Sequence, residues 1–309
     1  CRTAPSESQI EMMPVLKKLF LLFCVLLPFQ ASANEKDDQE KPHWRRETLG
    51  GIQINHVLAG NKTNFGYVWP LFPDSDSPLF QKTHLKAGFM NTLSPVVNSL
   101  GAYIEAHPIR LLVWRLSLEG VGIIPLTGSM DSTNDPNIDF HMAARTEPTR
   151  DQARYGTYGM EAASDLTLQM ALGGVALRNT TSVRYHLMKL RGNEQFFYYP
   201  MVDLMAENNG FSLQNHMELI WVGFEKWFVG VRWSRVNMVY SADEGRADGY
   251  GQSEQLGPFV AFELPKSWSG KSQWLMLIQT QWWLHHPNKM GLDAPQWFPA
   301  MAVGFATLR

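Results

Sequence analysis

The side chains best suited to chemistry recur at even spacings: Glu161 and Asp165, then Arg178, Arg184 and His186, then His216 and Glu218, with Arg232 beyond them. In an extended chain residues two apart share a face, so each group presents its charges on one side of a strand. Such a surface offers three chemistries. Opposed guanidinium and carboxylate groups can bridge and fill a narrow interior, because an unpaired charge away from water is costly. They can instead ring a constriction that sorts small polar solutes by charge, or an imidazole beside a carboxylate can move protons. These residues are taken as candidates for a lumen constriction. Lys86, Arg115, Arg235, Glu105, Glu119, Glu263, His84 and His285 are expected on the same inward surface.

Other patterns carry less. Asp131, Asp135, Asp139 and His141 could activate water or give oxygens to calcium, but the stretch from 131 to 139 lacks the turn glycine and distal glutamate of a calcium loop. The pair His285–His286 puts one ring on each face of a strand end, and a metal needs more ligands converging than that. Asn61-Lys62-Thr63 and Asn179-Thr180-Thr181 match a glycosylation acceptor by chance. Phe196-Phe197-Tyr198-Tyr199-Pro200 reads as a loop packing on itself or a strand running on, although it could also stack on a sugar. No metal site and no cofactor is expected, and no residue is assigned as catalytic.

The elements that must position the charges are strands. Leu177, Val183, Tyr185 and Leu187 alternate with Arg178, Arg184 and His186; Phe211, Leu213, Met217, Leu219 and Trp221 alternate with Ser212, Gln214, His216 and Glu218; Tyr158, Met160, Leu166, Leu168 and Met170 oppose Glu161 and Asp165. A soluble sandwich or lipocalin-like barrel shows the same alternation with its apolar face turned inward. Length and aromatic placement separate the two. Soluble strands usually run about 5 to 6 residues, whereas these run on the order of 10 to 16, enough to cross a bilayer when tilted. Trp274 and Trp282 stand about 26 Å apart along one strand face, roughly 20 Å of height at a ~40° tilt. Tyr158, Phe211, Trp221, Trp274 and Trp282 are therefore expected to form girdles at two lipid interfaces.

Loop lengths agree. Connections near 123–154, 190–210, 241–254 and 286–297 are long, and those near 173–174, 223–226 and 265–271 are tight, as when outer loops are free to grow and periplasmic turns stay short. The short link at Ser94-Pro95 departs from this alternation. The predicted fold is all-β: an antiparallel transmembrane β-barrel of ten or twelve strands. Of 309 residues 45% are apolar and 18% charged, which excludes a disordered or collagen-like chain. The 27 basic and 29 acidic residues nearly cancel, and nucleic acid is not expected as a partner.

At the N-terminus Lys17-Lys18, the apolar run from Leu19 to Leu27 and Ala31-Ser32-Ala33 follow the order of a secretory signal. Nine apolar residues are too few to span a membrane, where about 20 are needed. The organisation expected is upstream residues and a cleaved signal over 1–33, a charged periplasmic segment over 34–49 and one barrel over 50–309. Both cysteines, Cys1 and Cys24, precede the expected mature start at Asn34.

On these strands, from Thr83 to Leu308, the chain resembles the Gram-negative outer-membrane β-barrel proteins as a class. The resemblance implies an outer-membrane location, outer-membrane lipid as surroundings, and the barrel assembly machinery as a partner during biogenesis. The last strand departs from the class by ending Leu308-Arg309, with Phe305 four residues early. The function expected is a narrow or gated pore for small polar solutes or ligands. An envelope enzyme acting on lipid or peptide at the outer rim, and a plugged structural barrel, stay open as alternatives.

Overall fold

A computed structural model describes residues 41–54, 58–124, 132–135, 155–222, 226–241, 251–264, 273–287 and 299–308. The expected signal segment, and Asp131, Asp139 and His141, lie outside these residues. The strands are β1 (His43–Ile54), β2 (Leu58–Pro70), β3 (His84–Leu93), β4 (Val97–Ile109), β5 (Leu112–Ile123), β6 (Ser132–Thr133), β7 (Thr157–Leu172), β8 (Val175–Met188), β9 (Phe196–Tyr199), β10 (Leu204–Glu207), β11 (Gly210–Trp221), β12 (Trp227–Val239), β13 (Gln252–Glu263), β14 (Gln273–His285) and β15 (Ala300–Leu308). Twelve of them close into one antiparallel barrel in the order β1-β2-β3-β4-β5-β7-β8-β11-β12-β13-β14-β15. The seam is the pairing of β1 with β15, from Glu47 opposite Leu308 to Ile54 opposite Met301. Closure satisfies the backbone groups that an open sheet edge would leave unpaired, which hydrocarbon does not tolerate. β6, β9 and β10 form a separate three-stranded sheet in the order β10-β9-β6.

The count is thus twelve, the upper of the two expected, because β1 and β2 are both full strands. β1 starts at His43, ahead of the expected barrel start at residue 50. The end where β1 begins and β15 finishes is called here the lower end, and its turns are tight. The β7–β8 turn is Gly173-Gly174, with Gly173 at φ +61°, a conformation that costs glycine little.

The wall is apolar outside. Leu172 is 87% exposed, Leu100 69%, Phe89 66% and Tyr158 63%. A water-soluble barrel turns such residues inward, so this surface is matched to hydrocarbon and the barrel is transmembrane. Trp44, Trp69, Trp114, Trp221 and Trp227 lie exposed near the lower ends of their strands, and Tyr158, Phe211 and Trp282 lie exposed toward the upper ends. Trp274, also low on its strand, packs against Phe305 with ring centroids 5.3 Å apart. Such rings rest best where hydrocarbon meets headgroups.

One expected inward residue is corrected. On β12, Arg232 shares a face with buried Val236 and Met238, and Arg235 lies an odd number of residues from all of these. It therefore faces outward, opposite Glu254 of β13, and reaches toward Asn237 and Gln252. Period two admits no exception without a bulge.

Candidate functional site: a charged lumen under an apolar cap

The eight constriction candidates all point inward, but they gather in two groups, not one ring. The strands β7, β8, β11 and β12 are consecutive neighbours in the wall. Higher in the lumen, Arg184 Nη1 donates to Glu161 Oε1 at 2.5 Å, and its Nη2 lies 3.7 Å from Asp165 Oδ1. His186 joins the same carboxylate, with Nδ1 3.3 Å from Glu161 Oε2. Lower down, Glu218 sits between two guanidiniums. Arg178 donates to its Oε2 through Nε at 2.7 Å, and Arg232 donates to its Oε1 through Nε at 2.8 Å and Nη2 at 2.5 Å. Arg232 Nη1 also donates to Gln279 Oε1 at 2.7 Å. His216 stands apart from this group, with Nδ1 3.0 Å from Ser234 Oγ.

The register explains the grouping. Glu218 is directly opposite both Arg178 on β8 and Arg232 on β12, and Ser212 is opposite Arg184. Opposed residues on adjacent strands lie close enough for side chains to meet. The facing wall repeats the device. Arg115 Nη2 donates to Asn64 Oδ1 at 3.0 Å and its Nη1 lies 3.5 Å from Glu105 Oε2. Ser99 Oγ donates to Glu119 Oε2 at 2.6 Å, Lys62 Nζ lies 3.5 Å from Glu119 Oε1, and Lys86 Nζ lies 2.8 Å from Glu47 Oε1.

Two features escaped the period-two reading. The first is a hydrogen-bonded chain from Ser212 through His186 to Glu161. Glu161 can only accept, so His186 carries its proton on Nδ1 and offers the lone pair of Nε2 to the Ser212 hydroxyl 2.9 Å away. Serine, imidazole and carboxylate in that order can generate a nucleophile. Ser212, however, has no exposed surface. A serine on the inward face of a strand carries no signal of its own, and its partner is 26 residues distant.

The second is what covers it. β9 and β10 form a hairpin, Phe196 opposite Glu207 through Tyr199 opposite Leu204. The hairpin does not stand out in solvent. Phe196, Phe197, Tyr198, Tyr199, Leu204, Met205 and Ala206 are buried in one apolar cluster with Val97, Val121, Ile123, Met188, Val236 and Met238, which lie at the upper ends of β4, β5, β8 and β12. The hairpin caps the upper mouth from within. Its polar ties are few: Tyr199 OH donates to Glu161 Oε2 at 2.5 Å, Tyr240 OH donates to the Met205 carbonyl at 2.6 Å, and His286 Nε2 lies 3.0 Å from the Asp203 carbonyl. Burial, and then the Glu161 carboxylate, push the Tyr199 hydroxyl well above the usual phenol range, so it stays protonated as the donor. Asp203 takes a left-handed conformation in the hairpin turn, φ +59°, and its carboxylate accepts from Tyr198 OH at 2.6 Å.

Among the described residues one group brings histidine and carboxylate nitrogens and oxygens within ligand distance of one another: His84, Glu105 and His107, at the lower end.

No protein-family model matches the sequence, and no curated protein matches it. Among solved structures, the chain is similar to the translocator domain of autotransporter NalP from Neisseria meningitidis, at 11% identity over 88% of each chain with a TM-score of 0.34. It is similar also to the transport unit of the autotransporter AIDA-I from Escherichia coli, at 9% identity over 91% of this chain and 92% of that one, TM-score 0.38. LpxR from Salmonella typhimurium is similar at 8% identity over 86% of this chain and 99% of that one, TM-score 0.36.

Proposed function

We propose that the protein is a gated pore of the Gram-negative outer membrane for small polar solutes, with its lower end in the periplasm and the β9–β10 hairpin as its gate. The observation that carries this reading is an apolar cap seated above a charged lumen. Buried ion pairs stabilise a fold less than apolar side chains of similar volume. A barrel needing only to be solid would be filled throughout as its upper mouth is filled. Charges retained below the cap suit a path that is wet when the cap lifts, and an apolar constriction is a known means of closing such a path.

The test excises the cap. Asn208 N donates to the Gln195 carbonyl at 2.7 Å, so the chain on either side of 196–207 is already in contact and a short Gly-Ser link can join it. In planar bilayers the full chain should show only rare, brief openings, and the excised variant a steady conductance. An excised variant that folds as a barrel and does not conduct would overturn the pore and leave a solid structural barrel.

The chain Ser212–His186–Glu161 favours a second reading, an envelope hydrolase whose nucleophile is uncovered by the same movement. A fluorophosphonate that labels the excised variant, and not its Ser212→Ala derivative, would support it. Absence of labelling in a folded excised variant would remove it.

A further inference from the structure

We propose that His84, Glu105 and His107 form a binding site for one divalent transition-metal ion of the zinc type at the lower end of the lumen. The site arises from register. His84 opens β3 directly opposite His107 of β4, and Glu105 lies two residues before His107 on the same inward face. Three ligand types that zinc accepts are thereby brought to one spot.

The protonation of His84 supplies the argument. Its Nδ1 lies 3.1 Å from the Lys82 carbonyl, which can only accept, so the proton of a neutral ring sits on Nδ1. Nε2 is then a bare lone pair. It is buried without a hydrogen-bond partner, and it faces a carboxylate oxygen, Glu105 Oε1, at 4.0 Å. Two lone pairs turned toward each other in a buried place call for a cation between them. A carbonyl on the far nitrogen is also how metal-bound histidines are usually oriented.

Distances fit an ion. Bonds of about 2.0 to 2.2 Å in a tetrahedral site place neighbouring ligand atoms roughly 3.4 Å apart. His107 Nε2 to Glu105 Oε1 is 3.4 Å already. His84 Nε2 to Glu105 Oε1 needs a closure of about 0.6 Å from 4.0 Å to reach that spacing, and all three ligand atoms lie within 4.8 Å of one another. The two imidazole rings stack with centroids 4.1 Å apart, so both move together. Glu105 Oε2 is turned toward Arg115 Nη1, which leaves Oε1 for the ion.

The cations nearby limit affinity and do not forbid the site. Lys86 and Arg45 lie 2.8 and 3.1 Å from Glu47 Oε1, so both are already engaged by a carboxylate outside the trio. Three protein ligands leave at least one position open to water or to a passing solute, which sets this site apart from a closed structural one.

The competing occupant is a proton, giving a histidinium paired with Glu105. Equilibrium dialysis of the untagged, refolded full chain against Zn2+, followed by elemental analysis, separates the two. One zinc per chain is expected, displaced by Cd2+ and not by Mg2+ or Ca2+, which prefer oxygen-only sites. His84→Ala and His107→Ala should each weaken binding at least tenfold. Because either variant can misfold, Co2+ added to the wild type gives a second readout: a four-coordinate site with nitrogen ligands produces strong visible absorption that excess Zn2+ abolishes. A wild-type barrel that takes up no zinc, or His84→Ala and His107→Ala barrels that fold and retain it, would overturn the proposal.

Discussion

Glu218→Gln isolates the question of whether the lumen is dry. The carboxylate takes donors from Arg178 at 2.7 Å and from Arg232 at 2.5 and 2.8 Å, and only 1% of the residue is exposed. Removing one partner of a buried ion pair costs about 3 to 5 kcal/mol, chiefly through the charge left behind. Glutamine keeps one acceptor oxygen and can still serve one of the two guanidiniums. A loss near the lower bound, about 3 kcal/mol, is expected. Equilibrium unfolding in urea of the barrel in lipid vesicles, followed by tryptophan fluorescence, measures it. Replacing all three residues together with Met, Arg178 and Arg232 as well as Glu218, should return stability close to wild type, since no charge then stays unpaired. If Glu218→Gln costs less than about 1 kcal/mol, the range of pairs exposed to water, the reasoning that this cluster is sealed from solvent is refuted.

Two further outcomes follow from the geometry. With no cysteine among the described residues, Ser212→Cys should resist aqueous thiol reagents in the full chain and react once the cap is excised, whereas Leu213→Cys, one residue along on the lipid face, should react only with a lipid-soluble reagent in both; aqueous labelling of Ser212→Cys in the intact chain would show that the cap does not seal. Gly257→Ala should abolish barrel formation in refolding assays scored by heat-modifiable gel mobility, because a Cβ there would lie 1.8 Å from the Thr280 carbonyl oxygen of the neighbouring strand; normal folding would mean that β13 and β14 separate more easily than their register implies.

The wall was legible in the sequence because each of its strands separates hydrocarbon from a polar interior, and that asymmetry writes itself as period two. Leu177 and Arg178, or Glu218 and Leu219, announce opposite faces without any knowledge of their neighbours. The cap was not legible for the complementary reason. Phe196 to Tyr199 are buried on both faces, so the segment has no polar alternate residue and reads like any apolar loop cluster. Arg235 was misplaced because charge was read as a mark of the interior, although parity with Arg232 already opposed it. Pairings across strands, such as Ser212 with His186 or His84 with His107, depend on register. Register is set by turn geometry and by which faces must be buried, and neither identifies partners across the longer connections.

The cap's own contacts say how it behaves at rest. On leaving, it would strip Glu161 of the Tyr199 hydroxyl, yet Arg184 and His186 would still hold that carboxylate. The wall is therefore satisfied without the cap, and the polar ties between them, each worth about 0.5 to 1.5 kcal/mol net, are replaceable by water. What holds the cap is apolar. Phe197, Leu204 and Met205 have no exposed surface, and at about 1.5 to 3 kcal/mol for each buried side chain the three together favour the closed state by roughly 5 to 9 kcal/mol. Spontaneous opening then occupies fewer than about one molecule in a thousand, since each 1.4 kcal/mol is a factor of ten. A gate built this way stays shut until something binds the lifted hairpin or the uncovered charges more tightly than the closed mouth. A pore with this cap is thus opened by a ligand and not by thermal fluctuation alone.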